Sequence, residues 1–287
     1  MFKIYPKCKN LRTVYMTADS QILPCCDVSI TSKLKENIIP NWNLKNKNIE
    51  QILHDVKNWA DLLSDNKVEP YSKCNKVCGK DEYFFPYTHL ELSTRCTLKC
   101  TKCPRTYGLK NGLDFKIKDL DLDDAKTIIE KTDNTLISLC GTLGDPIFHP
   151  YLIEIVQYIE SKGKVFILST AAPGKSLNWW KKFYNSYNSK TSIVRFGLDG
   201  LEDTAHLYRI GTDYNKVFSA MKLGVSSGKR IQWQFIPFKF NEHQVDTVKQ
   251  ICKDNGIEFH MLKSNRWKEN DPLEPVNKKL KFKGRGY

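Results

Sequence analysis

From Thr88 to Lys263 the sequence alternates short apolar runs with longer amphipathic stretches. Short apolar runs that are bounded by polar or turn residues are typical of buried strands. The runs that predict strands are His89–Ser93, Leu136–Cys140, Lys164–Thr170, Ser192–Asp199, Ile231–Phe238 and Ile257–Lys263. We therefore expect strands at regular intervals through this part of the chain.

The stretches between these runs space their apolar residues so that they share one face of a helix. The predicted helices are Asp121–Glu130, Pro150–Ser161, Ser176–Tyr187, Asn215–Ser227 and Asn241–Asn255. An alternation of strands and helices predicts an α/β fold with a parallel sheet and helices outside it. The repeats are too few for a fully closed barrel, so we predict a partly open (β/α)6 barrel.

The first 85 residues do not follow this repeat. Thr13–Met16 and Gln21–Leu23 predict a hairpin, and Asn48–Leu63 predicts an amphipathic helix. This part of the chain also carries the cysteines Cys8, Cys25, Cys26, Cys74 and Cys78. We predict a small cysteine-rich domain at 1–85, the barrel at 86–265 and a basic C-terminal tail at 266–287.

Composition indicates a soluble globular protein, with 40% hydrophobic and 27% charged residues. No apolar run is long enough to span a membrane, and the first residues lack the apolar core of a signal peptide. We therefore expect a cytoplasmic protein without membrane contact, in a compartment where thiols stay reduced. The formal charge of +13 suits an acidic partner, and nucleic acid remains open as one.

The ten cysteines are clustered along the chain, which in a reducing compartment favours metal binding over disulfides. Cys96, Cys100 and Cys103 form a C-x3-C-x2-C motif directly after the first predicted strand. Such a loop can ligate three corners of a cubane iron–sulfur cluster. It can also supply most of a zinc site, with Cys140 or a histidine as the fourth ligand. Cys140 and Cys252 stand alone in apolar surroundings and are expected to be buried core thiols.

Between about Tyr87 and Lys263 the chain resembles the radical S-adenosylmethionine superfamily. The cysteine motif matches the family's cluster motif, and Gly141-Thr-Leu-Gly144-Asp145-Pro146 is similar to its G-G-E-P segment. Leu168-Ser-Thr-Ala-Ala172 resembles its S-T-N-G element, and Gly197-Leu-Asp199-Gly with Arg209-Ile-Gly211 resembles its D-G…R-x-G stretch. The resemblance implies that these segments bind S-adenosylmethionine through Gly144, Asp145, Ser169, Thr170, Asp199 and Arg209.

The N-terminal cysteines resemble those of the auxiliary-cluster modules called twitch or SPASM domains. Ser20-Gln-Ile-Leu-Pro-Cys25 is similar to the hairpin of that module. The resemblance implies a second [4Fe-4S] cluster held by Cys8, Cys25, Cys74 and Cys78, with Cys26 as the alternative to Cys25. A structural zinc held by four of these thiolates stays open as the other interpretation. Lys102 departs from the family, which places a hydrophobic residue before the third cysteine.

The resemblance implies an oxygen-sensitive enzyme that cleaves S-adenosylmethionine reductively and removes a substrate hydrogen with the 5′-deoxyadenosyl radical. The expected substrate is a peptide or protein, and the expected partner is an electron donor such as a flavodoxin or ferredoxin. The alternatives are a small-molecule dehydrogenase or nucleotide cyclase, an RNA-modifying enzyme, and a zinc-bearing nucleic-acid binder without catalysis. Candidate substrate contacts are Gln232, Gln234, His260, Lys263, Asn265, Arg266 and Trp267. No catalytic acid or base is assigned.

Overall fold

The computed structural model describes residues 13–24, 42–65, 86–112, 116–264 and 266–281. These residues form two compact units. The first unit takes in the described parts of Met1–Ser93, Lys118–Cys140 and His149–Phe166. The second takes in those of Thr94–Ile117, Gly141–Phe148 and Ile167–Tyr287.

The strands and helices alternate along most of the described chain. The strands are β1 (Thr13–Met16), β2 (Ile22–Leu23), β3 (Tyr87–Leu90), β4 (Leu136–Cys140), β5 (Val165–Thr170), β6 (Ile193–Gly197), β7 (Arg230–Phe235) and β8 (Glu258–Met261). The α-helices are α1 (Ile49–Ser64), α2 (Pro104–Lys110), α3 (Leu122–Lys131), α4 (Leu152–Ser161), α5 (Leu177–Tyr184), α6 (Ala205–Tyr208), α7 (Tyr214–Ser226) and α8 (Val245–Asp254). Single 3-10 turns lie at Pro146–Phe148, Glu242–Gln244 and Lys278–Leu280.

In the first unit, β1 pairs antiparallel with β2 and parallel with β3, and β3 pairs parallel with β4. The predicted N-terminal hairpin is therefore confirmed. The predicted helix at Asn48–Leu63 is confirmed as α1, which begins where the Asn48 side chain accepts hydrogen bonds from the Glu50 and Gln51 N–H groups. Helix α1 buries the apolar face that contains Ile52, Val56 and Ala60.

In the second unit, β5 pairs with β6, β6 with β7 and β7 with β8, and all three pairings are parallel. One face of these strands is apolar and buried, and it includes Leu168, Phe196 and Trp233. The Trp233 indole N–H donates to the Leu198 carbonyl oxygen at 2.6 Å, so even this buried polar atom is satisfied. The opposite face carries polar residues, among them Arg195 and Gln232.

The α/β class with a mostly parallel sheet is confirmed, with strands at each predicted run. Strand β3 ends at Leu90, earlier than predicted, because the chain turns so that Ser93 bridges to Asp119. Helices α2 and α6 were not predicted.

Cys252 is buried as expected. The expectation that Cys140 is also buried is wrong, since this cysteine is only half-buried. No helix of the described residues combines the length and apolarity that a membrane span requires.

His89 lies in the core of the first unit. Its ring stacks on Tyr15 with centroids 4.5 Å apart, and its Nε2 donates to the Cys140 carbonyl oxygen at 2.6 Å. Burial of the ring lowers the pKa of His89 to about 4, although the hydrogen bond to Cys140 opposes this shift. The folded protein therefore holds this imidazole neutral at pH values where an unfolded chain protonates it.

We expect His89 to make the folded state sensitive to mild acid. Stability is unaffected by this group above its ordinary pKa of 6.5. Stability is lost as the pH falls from 6.5 towards about 4, because the unfolded chain binds a proton there that the folded protein does not. The unfolding free energy should fall by up to about 3 kcal/mol over this range. Urea unfolding of wild type and His89→Gln between pH 7 and pH 4 tests this, with the exposed His54→Gln as the matched control. Equal pH slopes for His89→Gln and wild type would contradict the expectation.

Candidate functional site

The three cysteines of the motif lie on a loop of the second unit, residues 94–103, which we call the cysteine loop. Cys103 directly precedes α2 as its N-cap residue, and Pro104 occupies the first turn, where its missing N–H costs nothing. The Cys103 N–H donates to the Cys100 carbonyl oxygen at 3.1 Å, which closes a tight turn between the two cysteines.

A second segment fixes the cysteine loop from one side. The Lys99 N–H donates to the Ile210 carbonyl oxygen at 3.0 Å, and the Thr101 N–H donates to the Tyr208 carbonyl oxygen at 3.2 Å. These backbone bonds attach the middle of the loop to the end of α6. Helix α6 was missed from the sequence because it is a single turn of four residues.

The loop cysteines are free thiols and are half-buried. Burial, together with the charge of Asp145, raises the pKa of Cys96 to about 11. Burial also raises the pKa of Cys100, while the nearby Arg209 guanidinium lowers it. Both thiols are therefore neutral at pH 7 without a ligand, and a metal that binds them must displace their protons.

The donor set of the loop fits an iron–sulfur cluster. Among the described residues, no three His, Cys, Asp or Glu side chains converge as ligands of a single metal ion. A cubane takes one thiolate at each of several separate irons, and the three thiols of the motif can supply three of these ligands.

Asp145 joins the cysteine loop to two neighbouring segments. Its N–H donates to the Arg95 carbonyl oxygen at 2.8 Å, beside the first loop cysteine. Its buried carboxylate accepts from the Thr170 hydroxyl at 2.7 Å, the Ala171 N–H at 2.8 Å and the Ile147 N–H at 3.2 Å. Burial raises the pKa of this carboxyl, and these hydrogen bonds act in the opposite direction.

The turn before Asp145 has room for glycine alone at Gly141. A Cβ there would lie 1.9 Å from the Gly144 carbonyl oxygen. After β5, Ala172 adopts a left-handed conformation with φ of 52°, which is unfavourable for a residue with a Cβ. Thr170 faces the buried Asp145, whereas Ser169 points to the opposite, more open face of β5.

Asp199 and Arg209 form a buried ion pair. Arg209 Nε donates to Asp199 Oδ2 at 2.7 Å, and Asp199 Oδ1 accepts the Ile236 N–H at 2.7 Å. The carboxylate is fully buried and the Arg209 side chain is 14% exposed. Burial raises the pKa of Asp199, and the Arg209 charge counteracts it. The guanidinium covers Gly197, where a Cβ would lie 2.5 Å from Nη2.

The polar face of the second unit continues from Gly197 onto the next strands. Gly197 is in register with Gln234, and Gln234 with His260. One step earlier along the strands, Gln232 accepts from Arg195 Nε at 2.9 Å and donates to Glu258 at 2.8 Å. Arg209 thus lies at the same face of the strands as this polar row.

The other candidate contacts are distributed differently. Trp267 packs edge-on against Phe238, and Arg266 Nη1 reaches the Lys102 carbonyl oxygen at 3.5 Å. Lys263 donates to the Lys279 carbonyl oxygen at 2.7 Å. Asn265 and the N-terminal cluster candidates lie outside the described residues: Cys8, Cys25, Cys26, Cys74 and Cys78.

Sequence reasoning missed two charged residues of this region. Arg195 interrupts the apolar run of β6, and its isolated charge is a signal that could have placed it on the polar face. Asp271, which pairs with Lys102, has no such signal, because it lies in a polar segment without periodicity. Its role depends on a partner far away in the chain.

No protein-family model matches the chain. Over 86 residues it is 28% identical to the tungsten-containing aldehyde ferredoxin oxidoreductase cofactor-modifying protein of Pyrococcus furiosus. The matched stretch is 29% of this chain and 23% of that protein. The structure of Streptococcus suis SuiB bound to S-adenosylmethionine matches with a TM-score of 0.54 and 14% identity, over 88% of this chain and 54% of SuiB. SuiB bound to its precursor peptide SuiA matches with a TM-score of 0.51 and 17% identity, over 80% of this chain and 49% of SuiB.

The chain therefore spans about half the length of SuiB and about a quarter of the Pyrococcus protein. The likeness to SuiB shows the fold alone, an α/β structure with a mostly parallel sheet. The cysteine motif follows β3, the first strand of the strand–helix repeat.

We expect Asp199→Asn to destabilise the protein, because it leaves the Arg209 guanidinium buried without a counter-charge. Loss of one partner of a buried ion pair costs about 3–5 kcal/mol. Urea unfolding of the apoprotein measures this, with Asp213→Asn as the control. Asp213 pairs with Lys216 at 3.0 Å on the surface, where the loss should stay below about 1 kcal/mol. Equal losses in the two variants would show that the Asp199–Arg209 pair has no special role.

Proposed function

We propose that the protein is a radical S-adenosylmethionine enzyme. The observation that carries this proposal is the grouping of the loop cysteines, the Asp145 network and the Asp199–Arg209 pair within one unit. The likeness of the fold to SuiB, whose structure contains S-adenosylmethionine, supports it. A loop that only bound a structural zinc would not require the largely buried Arg209 guanidinium on the polar face of the neighbouring strands.

The loop thiolates of Cys96, Cys100 and Cys103 hold a [4Fe-4S] cluster in this proposal. A cluster held there would supply the electron for reductive cleavage of bound S-adenosylmethionine, and the resulting 5′-deoxyadenosyl radical would abstract a substrate hydrogen. The protein residues bind and orient the cofactor. In the described residues only Nε of the Arg209 guanidinium has a hydrogen-bond partner, so its two terminal nitrogens suit the cofactor carboxylate.

Gly144, Asp145, Ser169, Thr170 and Asp199 divide into two kinds of cofactor-site residue. Asp145, Thr170 and Asp199 are buried and bonded to protein groups, so they shape the site and fix its backbone. Gly144 and Ser169 are half-buried, and these are the residues proposed to contact the cofactor directly. The turn at Gly144 leads into the Asp145 N–H, which bonds to the chain beside Cys96, and Ser169 lies on the face of β5 opposite to Thr170.

We further propose that Cys8, Cys25, Cys74 and Cys78 hold an auxiliary [4Fe-4S] cluster, with Cys26 as the alternative to Cys25. The support is the motif resemblance and the clustering of these thiols, which in a reducing compartment favours metal binding over disulfides. A structural zinc is the competing occupant of the same thiolates, and metal analysis separates the two.

The proposed substrate is a peptide or protein, because SuiB, with the same fold, is solved with a precursor peptide. The charge of +13 favours an acidic one. A small molecule as substrate of a dehydrogenase or cyclase reaction is the alternative that the fold also accommodates. The electron donor is proposed to be a flavodoxin or ferredoxin, and the exposed cations Arg95 and Lys99 on the cysteine loop suit an acidic protein of this kind.

Iron content tests the proposal directly. After anaerobic reconstitution, wild type should contain about 8 irons per chain, and the variant Cys96→Ala/Cys100→Ala/Cys103→Ala about 4. Iron, sulfide and zinc are measured together on the same samples. The control is Cys252→Ala, which removes a buried thiol that belongs to neither proposed site and should leave the iron content unchanged.

The other outcomes are equally informative. A fall from about 4 irons to none, with zinc retained, would leave a one-cluster enzyme with a zinc-bearing N-terminal region. Zinc in both proteins without iron would overturn the enzyme proposal. Aerobic purification is avoided because exposed clusters react with oxygen.

RNA as substrate is favoured by one observation, the basic segment Lys278–Tyr287. If this segment binds RNA, its deletion should weaken RNA binding. The dependence of affinity on salt should also become shallower, because a complex with fewer phosphate contacts releases fewer counterions when it forms. RNA affinity is measured across a salt series for wild type and the deletion variant. Unchanged affinity with a nearly flat salt dependence would exclude this alternative.

A further inference from the structure

The C-terminal residues 266–281, which we call the C-terminal segment, are attached to the second unit. The Lys239 N–H donates to the Leu273 carbonyl oxygen at 3.0 Å, and the Asn277 N–H donates to Glu242 Oε2 at 3.0 Å. Both bonds join the segment to the chain that follows β7. The segment therefore has a defined course over the same unit that contains the cysteine loop.

Asp271 is a buried charged side chain of this segment. Its carboxylate is 2% exposed and forms an ion pair with the Lys102 ammonium. It also accepts the Leu273 N–H at 3.1 Å and the Lys268 N–H at 3.4 Å. Burial opposes the charged form, but the Lys102 hydrogen bond and these N–H groups prevail and lower the pKa of Asp271. Asp271 is thus an ionised, buried carboxylate with a full set of donors.

Lys102 is the residue directly before the third loop cysteine, and the segment holds it at two points. Its ammonium pairs with Asp271, and its carbonyl oxygen receives Arg266 Nη1 at 3.5 Å. The turn from Cys100 to Cys103 is therefore fixed by residues that lie more than 160 positions later in the sequence.

A row of aromatic rings also connects the C-terminal segment to Thr101 of the cysteine loop. Trp267 packs edge-on against Phe238 at 5.6 Å, and Phe238 packs on Tyr208 at 4.4 Å. The Tyr208 carbonyl oxygen accepts the Thr101 N–H, one residue before Lys102. Thr101 and Lys102 are thus each held by a separate set of contacts, and both sets end in the C-terminal segment.

We propose that Lys102 and Asp271 are a positioning pair, through which the C-terminal segment holds the cysteine loop in the conformation that retains the cluster. The inference rests on the proposed function, since it requires a cluster on this loop. Residues that orient metal ligands from outside typically change metal affinity about 10–100-fold when they are replaced. A lysine before the third cysteine acts here through its buried partner rather than as an apolar surface for a ligand.

The test measures iron release from anaerobically reconstituted protein into an excess of a ferrous chelator. Asp271→Asn and Lys102→Met should each release the irons of the cysteine loop about 10–100-fold faster than wild type, while Lys102→Arg should stay near wild type because it keeps the charge. The double variant should be no faster than the worse single variant, since removal of both charges leaves no unpaired ion. The matched control is Glu274→Gln, which breaks the 3.2 Å pair with Lys281 within the same segment and should not alter release.

A second readout separates positioning from general loss of structure. The electron paramagnetic resonance spectrum of the reduced protein is recorded before and after addition of S-adenosylmethionine, and circular dichroism of each apoprotein reports its folding. Asp271→Asn and Lys102→Met should fold like wild type. Their electron paramagnetic resonance spectra should respond to S-adenosylmethionine differently from the wild-type spectrum. If wild type retains iron and all variants release it at the wild-type rate, the positioning pair is wrong while the proposed function stands. If wild type takes up no iron, the proposed function itself fails.

Discussion

The buried carboxylate of Asp145 is the constraint on which the candidate site depends. The carboxylate accepts hydrogen bonds from Thr170 and Ala171 at the end of β5 and from the Ile147 N–H. The Asp145 N–H donates to the Arg95 carbonyl oxygen, beside Cys96. A buried carboxylate is stable only where several donors surround it, so these segments must occupy fixed positions relative to one another. The cysteine loop therefore begins from a rigid point even though its own backbone forms no regular element.

Charge pairing sets the remaining geometry. Asp199 with Arg209 and Asp271 with Lys102 are both pairs in which the carboxylate is almost fully buried and the cation is partly exposed. Each carboxylate thus neutralises and orients a cation near the cysteine loop. The Arg209 charge also offsets part of the burial cost of the Cys100 thiolate.

The strands, most helices and the cysteine motif were predictable because each depends on local patterning. Strand β5 and helix α4, for example, are apparent from apolar periodicity and from the glycine that separates them. Helix α2 could not be predicted, since its seven residues begin inside the metal motif and bury only Thr106 and Gly108. The end of β3 was misplaced because the bridge from Ser93 to Asp119 depends on a distant residue.

The sequence by itself determined the alternation of strands and helices and the presence of closely spaced thiols, since periodicity and spacing are properties of neighbouring residues. Only the tertiary structure decided which charges meet. Lys102 and Asp271 are 169 positions apart, and nothing local to either residue indicates the other. The structure likewise showed that Thr170 faces a buried carboxylate while Ser169 faces the open side of the sheet. Burial and pairing depend on neighbours in space, and these exist only once the chain has folded.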